Sequence, residues 1–226
     1  MSFNGVVSLT YDGGSLCHIE TVLPHLEQVG LRGTFFVDPV SLLENLPEWG
    51  QAVANGHEVG NGSLFAAVAP DRSLDGWTVE MIEEDIRAAK ELIEDLFPEQ
   101  TRHSLAFPWQ ESEDQSRCVA KGLYSVTKNG RDRANHLAGS SENVSGFHCN
   151  GHSTEQIMGL VSRGISESRW AVLSFQGVGV GDPAIDASVH LDVCHQLASL
   201  KEVTILPVIE AVSLVGSTLT GVPRLV

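Results

Sequence analysis

Asp12 closes the segment Leu9-Thr10-Tyr11-Asp12-Gly13-Gly14, directly after the apolar run of residues 5–10. Such a run reads as a buried strand. A carboxylate at the C-terminal end of a strand, followed by two glycines, lies where α/β folds place their chemistry. The competing reading is an Asp that caps the next helix or shapes the Gly-Gly turn. Three further segments leave candidate groups just past strand-like runs: Asn61-Gly62-Ser63, Pro108-Trp109 and Gln176-Gly177-Val178-Gly179. In a parallel barrel such ends converge on one rim. One acid, one aromatic, one amide and several glycines would line a shallow cleft suited to a polar, ring-containing molecule such as a sugar. The set is poor for metal binding, because Asp12 is its one hard ligand.

Other groups carry weaker signals. His57, in Gly56-His57-Glu58, reads as a hydrogen-bonding structural histidine rather than a catalytic one. His148 and His152 flank Cys149 at a spacing that could hold zinc on a helix, but Gly146, Asn150 and Gly151 make the segment a loop. The glycines between Gly177 and Gly181 resemble a phosphate loop, yet Asp182-Pro183 follows where a helix should start. Asn61-Gly62-Ser63 and Asn143-Val144-Ser145 fit the glycosylation sequon, which carries little weight without an export signal. No Ser or Cys sits in a G-x-S-x-G elbow. Trp109 is either core or a stacking platform, and its place after Pro108 favours the platform.

The elements that must position these groups alternate between strand-like and helix-like segments, which points to α/β with mainly parallel strands. Strands are expected at residues 5–10, 33–37, 57–60, 105–107, 123–126, 144–147, 170–175 and 203–206. Helices are expected where Ile19, Val22, Leu23, Leu26 and Val29 recur, across 79–96, from the Ser153/Gln156 capping box to about Arg163, and across 188–200. The acidic stretch of residues 80–94 reads as the wet face of its helix. The tail after Leu214 is rich in Gly, Ser and Thr and is expected to be loose, so the core spans about residues 5–212 of one domain. The chain of 226 residues is 42% hydrophobic with a net charge of −15, a composition that argues against nucleic acid and anionic membranes as partners. No stretch is long and apolar enough to span a bilayer. Four scattered cysteines and no export signal imply free thiols and a cytoplasmic protein, and a homo-oligomer is left open.

The segments and their order resemble the polysaccharide deacetylase family, the NodB-homology domain, over about residues 5–212. Thr10-Tyr11-Asp12-Gly13-Gly14 stands where that family has T-F-D-D-G. Gly56-His57-Glu58-Val59-Gly60-Asn61 matches the start of its second motif, Leu105-Ala106-Phe107-Pro108-Trp109 its third, and Leu173-Ser174-Phe175-Gln176-Gly177 its last. Leu31-Arg32-Gly33-Thr34-Phe35-Phe36-Val37 looks like its second strand. The resemblance implies a distorted (β/α) barrel and, in ordinary members, metal-dependent removal of acyl groups from N-acetylated sugars. It makes Asp12 the general base. It also puts Gly13, Gly62 and Ala66 where that family binds its metal, Gln176 where it has a catalytic histidine, and Ala106 where many members have an arginine. Glycine and alanine cannot ligate through a side chain, and glutamine has no proton to give near neutral pH. The expectation is a domain with no metal and no cofactor that binds a carbohydrate or other small polar ligand through Asn61, Pro108 and Trp109. The alternative is a metal-independent hydrolase of C–N bonds using Asp12 with Gln176.

Overall fold

The computed structural model describes residues 5–63, 77–107, 123–132 and 143–220. Seven parallel strands close into a barrel: β1 (Gly5–Asp12), β2 (Thr34–Val37), β3 (Glu58–Asn61), β4 (Ser104–Ala106), β5 (Val126–Asp132), β6 (Asn143–His148) and β7 (Trp170–Phe175). They pair in chain order, and β7 returns to β1 from Val6↔Trp170 to Tyr11↔Phe175. A short pair, β8 (Gly177–Val178) and β9 (Ala184–Ile185), follows β7, and β10 (Val203–Ile205) lies beside the first half of β1.

Strand alternation sorts side chains into two environments. Val7, Leu9 and Tyr11 of β1 join Phe35, Val37, Val59, Phe147, Leu173 and Phe175 in the layer between barrel and helices. Val6, Val126, Val144, Trp170 and Val172 fill the lower lumen. There they meet Val208, Ala211, Val212 and Val215 of the C-terminal helix α7 (Val208–Thr220), which plugs the N-terminal end of the barrel. The expectation of a loose tail is therefore wrong for residues up to Thr220. Gly216, Ser217 and Thr218 suggested a coil, but the apolar spacing one turn earlier finds the open barrel bottom, and burial overrides composition. Glu58 anchors this plug: its buried carboxylate accepts from Thr34 Oγ1 (2.7 Å), from the Ser104 hydroxyl and from the Ile209 N–H (3.1 Å), while burial pushes its pKa up.

The outer helices are α1 (Leu23–Gln28), α2 (Pro39–Glu44), α3 (Leu46–Ala54), α4 (Val79–Leu96), α5 (Thr154–Ser168) and α6 (Ala187–Ser199). α4 carries Ile82, Ile86, Ala89 and Ile93 on its buried stripe, as its period predicts. The Ser153/Gln156 capping box is present, and α5 runs beyond Arg163 to Ser168. Three expectations shift. The helix expected from Ile19 opens as a π-helical turn (His18–Val22), in which the Leu23 N–H reaches back to His18 O. Pro24, one position on, has no N–H with which to continue an α-ladder there. α2 and α3 were not anticipated; each has proline in its first turn, and the Asp38 side chain caps α2. The strand expected at residues 123–126 lies instead at Val126–Asp132, because its polar residues Lys128 and Asn129 find partners on other strands, Asp12 of β1 and Asn143 of β6.

Candidate functional site

The barrel lumen changes character along its axis. Above the apolar plug, Trp170 Nε1 donates to Ser8 Oγ (3.0 Å) and Thr10 Oγ1 donates to the Leu173 carbonyl (2.9 Å). At the mouth stands Asp12, with 26% of its side chain exposed, directly over Lys128, of which only 5% is exposed. The Lys128 ammonium donates to both carboxylate oxygens, at 2.9 Å to Oδ1 and 2.7 Å to Oδ2. Ser174 Oγ adds a third donor to Oδ2 at 2.8 Å. The ammonium also lies 5.5 Å from the Phe36 ring centroid, a cation–π distance. Gly146 gives the pair room: a Cβ there would lie 3.4 Å from Lys128 Cε and 3.3 Å from Ser174 Cβ. Charge-assisted bonds from below thus fix the carboxylate and leave its outer face toward the mouth.

Lys128 and Ser174 were not among the sequence candidates. The available signal was a lysine inside a strand of a parallel sheet, where a charge needs a counter-ion. The partner lies 116 residues away, so only the closed barrel reveals it.

The structure brings Asp12 and Gln176 to the ends of adjacent strands, since Tyr11 pairs with Phe175. Gln176 is half-buried. Its N–H donates to Asn150 Oδ1 (3.2 Å), its carbonyl meets His18 Nε2 (2.7 Å), and its side-chain oxygen faces Asn150 Nδ2 at 3.5 Å. His18, fully buried above Tyr11 and Phe35, has a pKa lowered by burial.

Asn61, expected to face the cleft, is instead fully buried. Its amide donates to Tyr124 Oη (2.6 Å) and the Ile86 carbonyl (3.2 Å), and its oxygen accepts from the Ser63 N–H (2.6 Å). The side chain joins the end of β3 to α4 and to Tyr124. Pro108, Trp109 and Ala66 lie outside the described residues. His57 is structural, as read: its Nδ1 accepts from the Gly33 N–H (3.1 Å), and burial lowers its pKa to about 4.

Gly13 has φ +103°, a left-handed conformation that a side chain would strain. Gly62 is closed off by β2: a Cβ there would lie 2.9 Å from the Phe36 carbonyl oxygen and 3.0 Å from the carbonyl carbons of Phe36 and Val37. Cys149 is buried with its sulfur 3.3 Å from the Phe147 carbonyl, and His152 Nδ1 faces the Asn150 carbonyl at 3.1 Å. Among the described residues no cluster of three or more His, Cys, Asp or Glu side chains could hold a metal ion, and no helix is long and apolar enough to cross a membrane.

Residues 4–124 match the sequence profile of the family described as Polysaccharide deacetylase. No curated protein matches the chain. Among solved structures, the chain is similar to peptidoglycan deacetylase PdaC from Bacillus subtilis, with 14% identity, a TM-score of 0.65, and 96% of this chain and 94% of that one covered. A family 4 acetyl xylan esterase from Clostridium thermocellum, in complex with a cobalt ion, shares 20% identity at a TM-score of 0.62, covering 96% and 93%. A wild-type CE4 family pseudoenzyme from Bacillus anthracis shares 16% identity at a TM-score of 0.61, covering 92% of this chain and 65% of that one.

Proposed function

The chain belongs to the polysaccharide deacetylase family, and from that premise we propose that its barrel mouth binds a carbohydrate without catalysing metal-dependent deacetylation. The observation that carries this reading is the Lys128 ammonium seated on both oxygens of Asp12. Family chemistry needs a divalent ion beside this carboxylate to polarise the acyl carbonyl and activate water. Among the described residues the side chains around Asp12 do not fit such an ion. Gly13 and Gly62 offer no side-chain ligand, the backbone of β2 closes the space at Gly62, and an internal cation occupies Asp12.

What remains suits recognition. Asp12 keeps an accepting face toward the mouth, its charge balanced from below, and can pair with sugar hydroxyl or amide donors. A solved CE4 pseudoenzyme with a similar barrel is a precedent for this fold without its usual activity.

The test is calorimetric titration with N-acetylglucosamine tetramer, with and without EDTA, alongside an acetate-release assay with added zinc or cobalt. The reading expects binding that EDTA leaves unchanged and no released acetate. Acetate release that rises with metal and vanishes with chelator would overturn it.

A further inference from the structure

Among the described residues, the large apolar side chains that stand exposed are Leu16, Val40, Leu43, Met81 and Val180, between 45% and 63% exposed. All of them lie at the mouth end of the barrel. Leu16 follows β1, and Val40 and Leu43 stand one turn apart on α2, which follows β2. Met81 lies in the first turn of α4, the helix that descends from the mouth after β3, and Val180 lies in the β8–β9 connection that follows β7. Because β7, β1, β2 and β3 are consecutive neighbours in the sheet, these residues form one arc of the rim. Packing ties the arc together: a Cβ on Gly14 would lie 3.2 Å from Ser41 Cβ of α2, and the His18 ring, just past Leu16, meets the Gln176 carbonyl. Apolar residues scattered singly over a surface need no explanation, but a set gathered on one face marks an interface.

The charges are sorted along the same axis. Glu44 beside Leu43, Glu80 beside Met81, and Asp182 and Asp186 beyond Val180 are exposed along the arc. Arg32, Arg102, Arg169 and Lys201 come just before β2, β4, β7 and β10, at the opposite end of the barrel. Arg87, Lys90 and Arg163 lie along α4 and α5, each paired with a glutamate. Among the described lysine and arginine side chains, Lys128 is the one at the mouth, and it is buried under Asp12. We propose that this arc is a docking surface for a cationic amphipathic segment of a partner protein, whose apolar face covers Leu16, Val40 and Leu43 while its basic residues meet the acids beside them. Charge decides the occupant. A second copy of the chain would set acidic arc against acidic arc, and an anionic membrane would repel the same face, with the net charge of −15 adding to both effects. Burial of the apolar arc supplies affinity, and the flanking acids select the partner by sign. The proposal goes beyond the carbohydrate reading and does not depend on it.

The experiment titrates the full chain into a fluorescent synthetic peptide of leucine and lysine at helical spacing, beside leucine–glutamate and serine–lysine peptides of the same length. The variants are Leu16→Ser with Leu43→Ser, Asp182→Asn with Asp186→Asn, and, as a charge-matched control at the opposite end of the barrel, Glu99→Gln with Glu167→Gln. Hydrogen exchange of wild type is recorded with and without the leucine–lysine peptide. The expected result is binding of that peptide, at least tenfold tighter than either of the others. The leucine pair should weaken it at least tenfold, the aspartate pair at least threefold and the control pair less than twofold, with protection gathered at residues 13–16, 38–44 and 177–186. No binding, equal binding by wild type and the leucine pair, or protection confined to the opposite end overturns the proposal. A serine–lysine peptide that binds as tightly as the leucine–lysine one overturns it too, because charge attraction alone then accounts for the affinity. Sedimentation of wild type by itself should show a monomer, and a dimer that Leu16→Ser with Leu43→Ser dissolves would give the face to a second copy and overturn the proposal.

Discussion

Replacing either member of the Asp12–Lys128 pair should destabilise the fold, and Asp12→Asn should cost more than Lys128→Met. The reason is the unequal burial of the two charges, 5% exposed for Lys128 against 26% for Asp12. At contact distance and an effective dielectric of about 20, the gross attraction is about 6 kcal/mol, most of it offset by desolvation. Asp12→Asn leaves an ammonium deep in the lumen with the Phe36 face and neutral oxygens for company. Stranding a buried charge costs about 3–5 kcal/mol, and the partial exposure of the pair places the expected loss near the lower end. Lys128→Met leaves a carboxylate that still accepts from Ser174 and reaches water, so about 1–2 kcal/mol is expected. The double variant should lose less than the sum, with a coupling of about 1–3 kcal/mol. Guanidinium unfolding of the four proteins, followed by circular dichroism at one pH, closes the cycle. A neutral or stabilising Asp12→Asn, or strictly additive losses, would refute the argument that an internal ion pair holds this mouth together.

Stability should also fall on acidification. Burial holds His57 at about 4 against an ordinary 6.5, and His190 is lowered in the same sense by burial and by His25. The unfolded chain then binds more protons below pH 6.5, so this stability is fully present above 6.5 and is lost as pH falls toward the folded value. His57 alone accounts for roughly 2 kcal/mol at pH 5. In denaturant titrations at pH 7.5 and 5, His57→Asn, which keeps an acceptor for the Gly33 N–H, should flatten the fall, and an unchanged slope would count against the assignment. Gly62→Ala should destabilise by about 1–3 kcal/mol, because its methyl would meet the β2 backbone at 2.9 Å; wild-type stability in a thermal melt would show that β2 yields freely. Zinc or cobalt added to wild type should leave its melting temperature unchanged, and a concentration-dependent rise would reveal a metal site.

The sequence by itself determined the parallel barrel and the order of its parts. The stripe Ile82, Ile86, Ala89, Ile93 and the Ser153/Gln156 capping box are local signals, complete within a few turns of chain. Asp12 and Gln176 were legible as strand-end residues for the same reason, since each directly follows its own apolar run. The fate of polar side chains was not legible, because it depends on which face of the pleat they occupy and on what closure brings opposite. Asn61 looked available until α4 and Tyr124 took its amide. Lys128 lay two residues past an expected strand and carried no reading until β5, β7 and β1 placed it under Asp12, from which 116 residues separate it. Val208, Ala211 and Val212 sat before a coil-like tail that began at Val215, and only an open barrel bottom gave that face something to bury against. Local periodicity writes the elements, whereas charge pairing and plugging are contacts between distant segments, and these exist only once the barrel has closed.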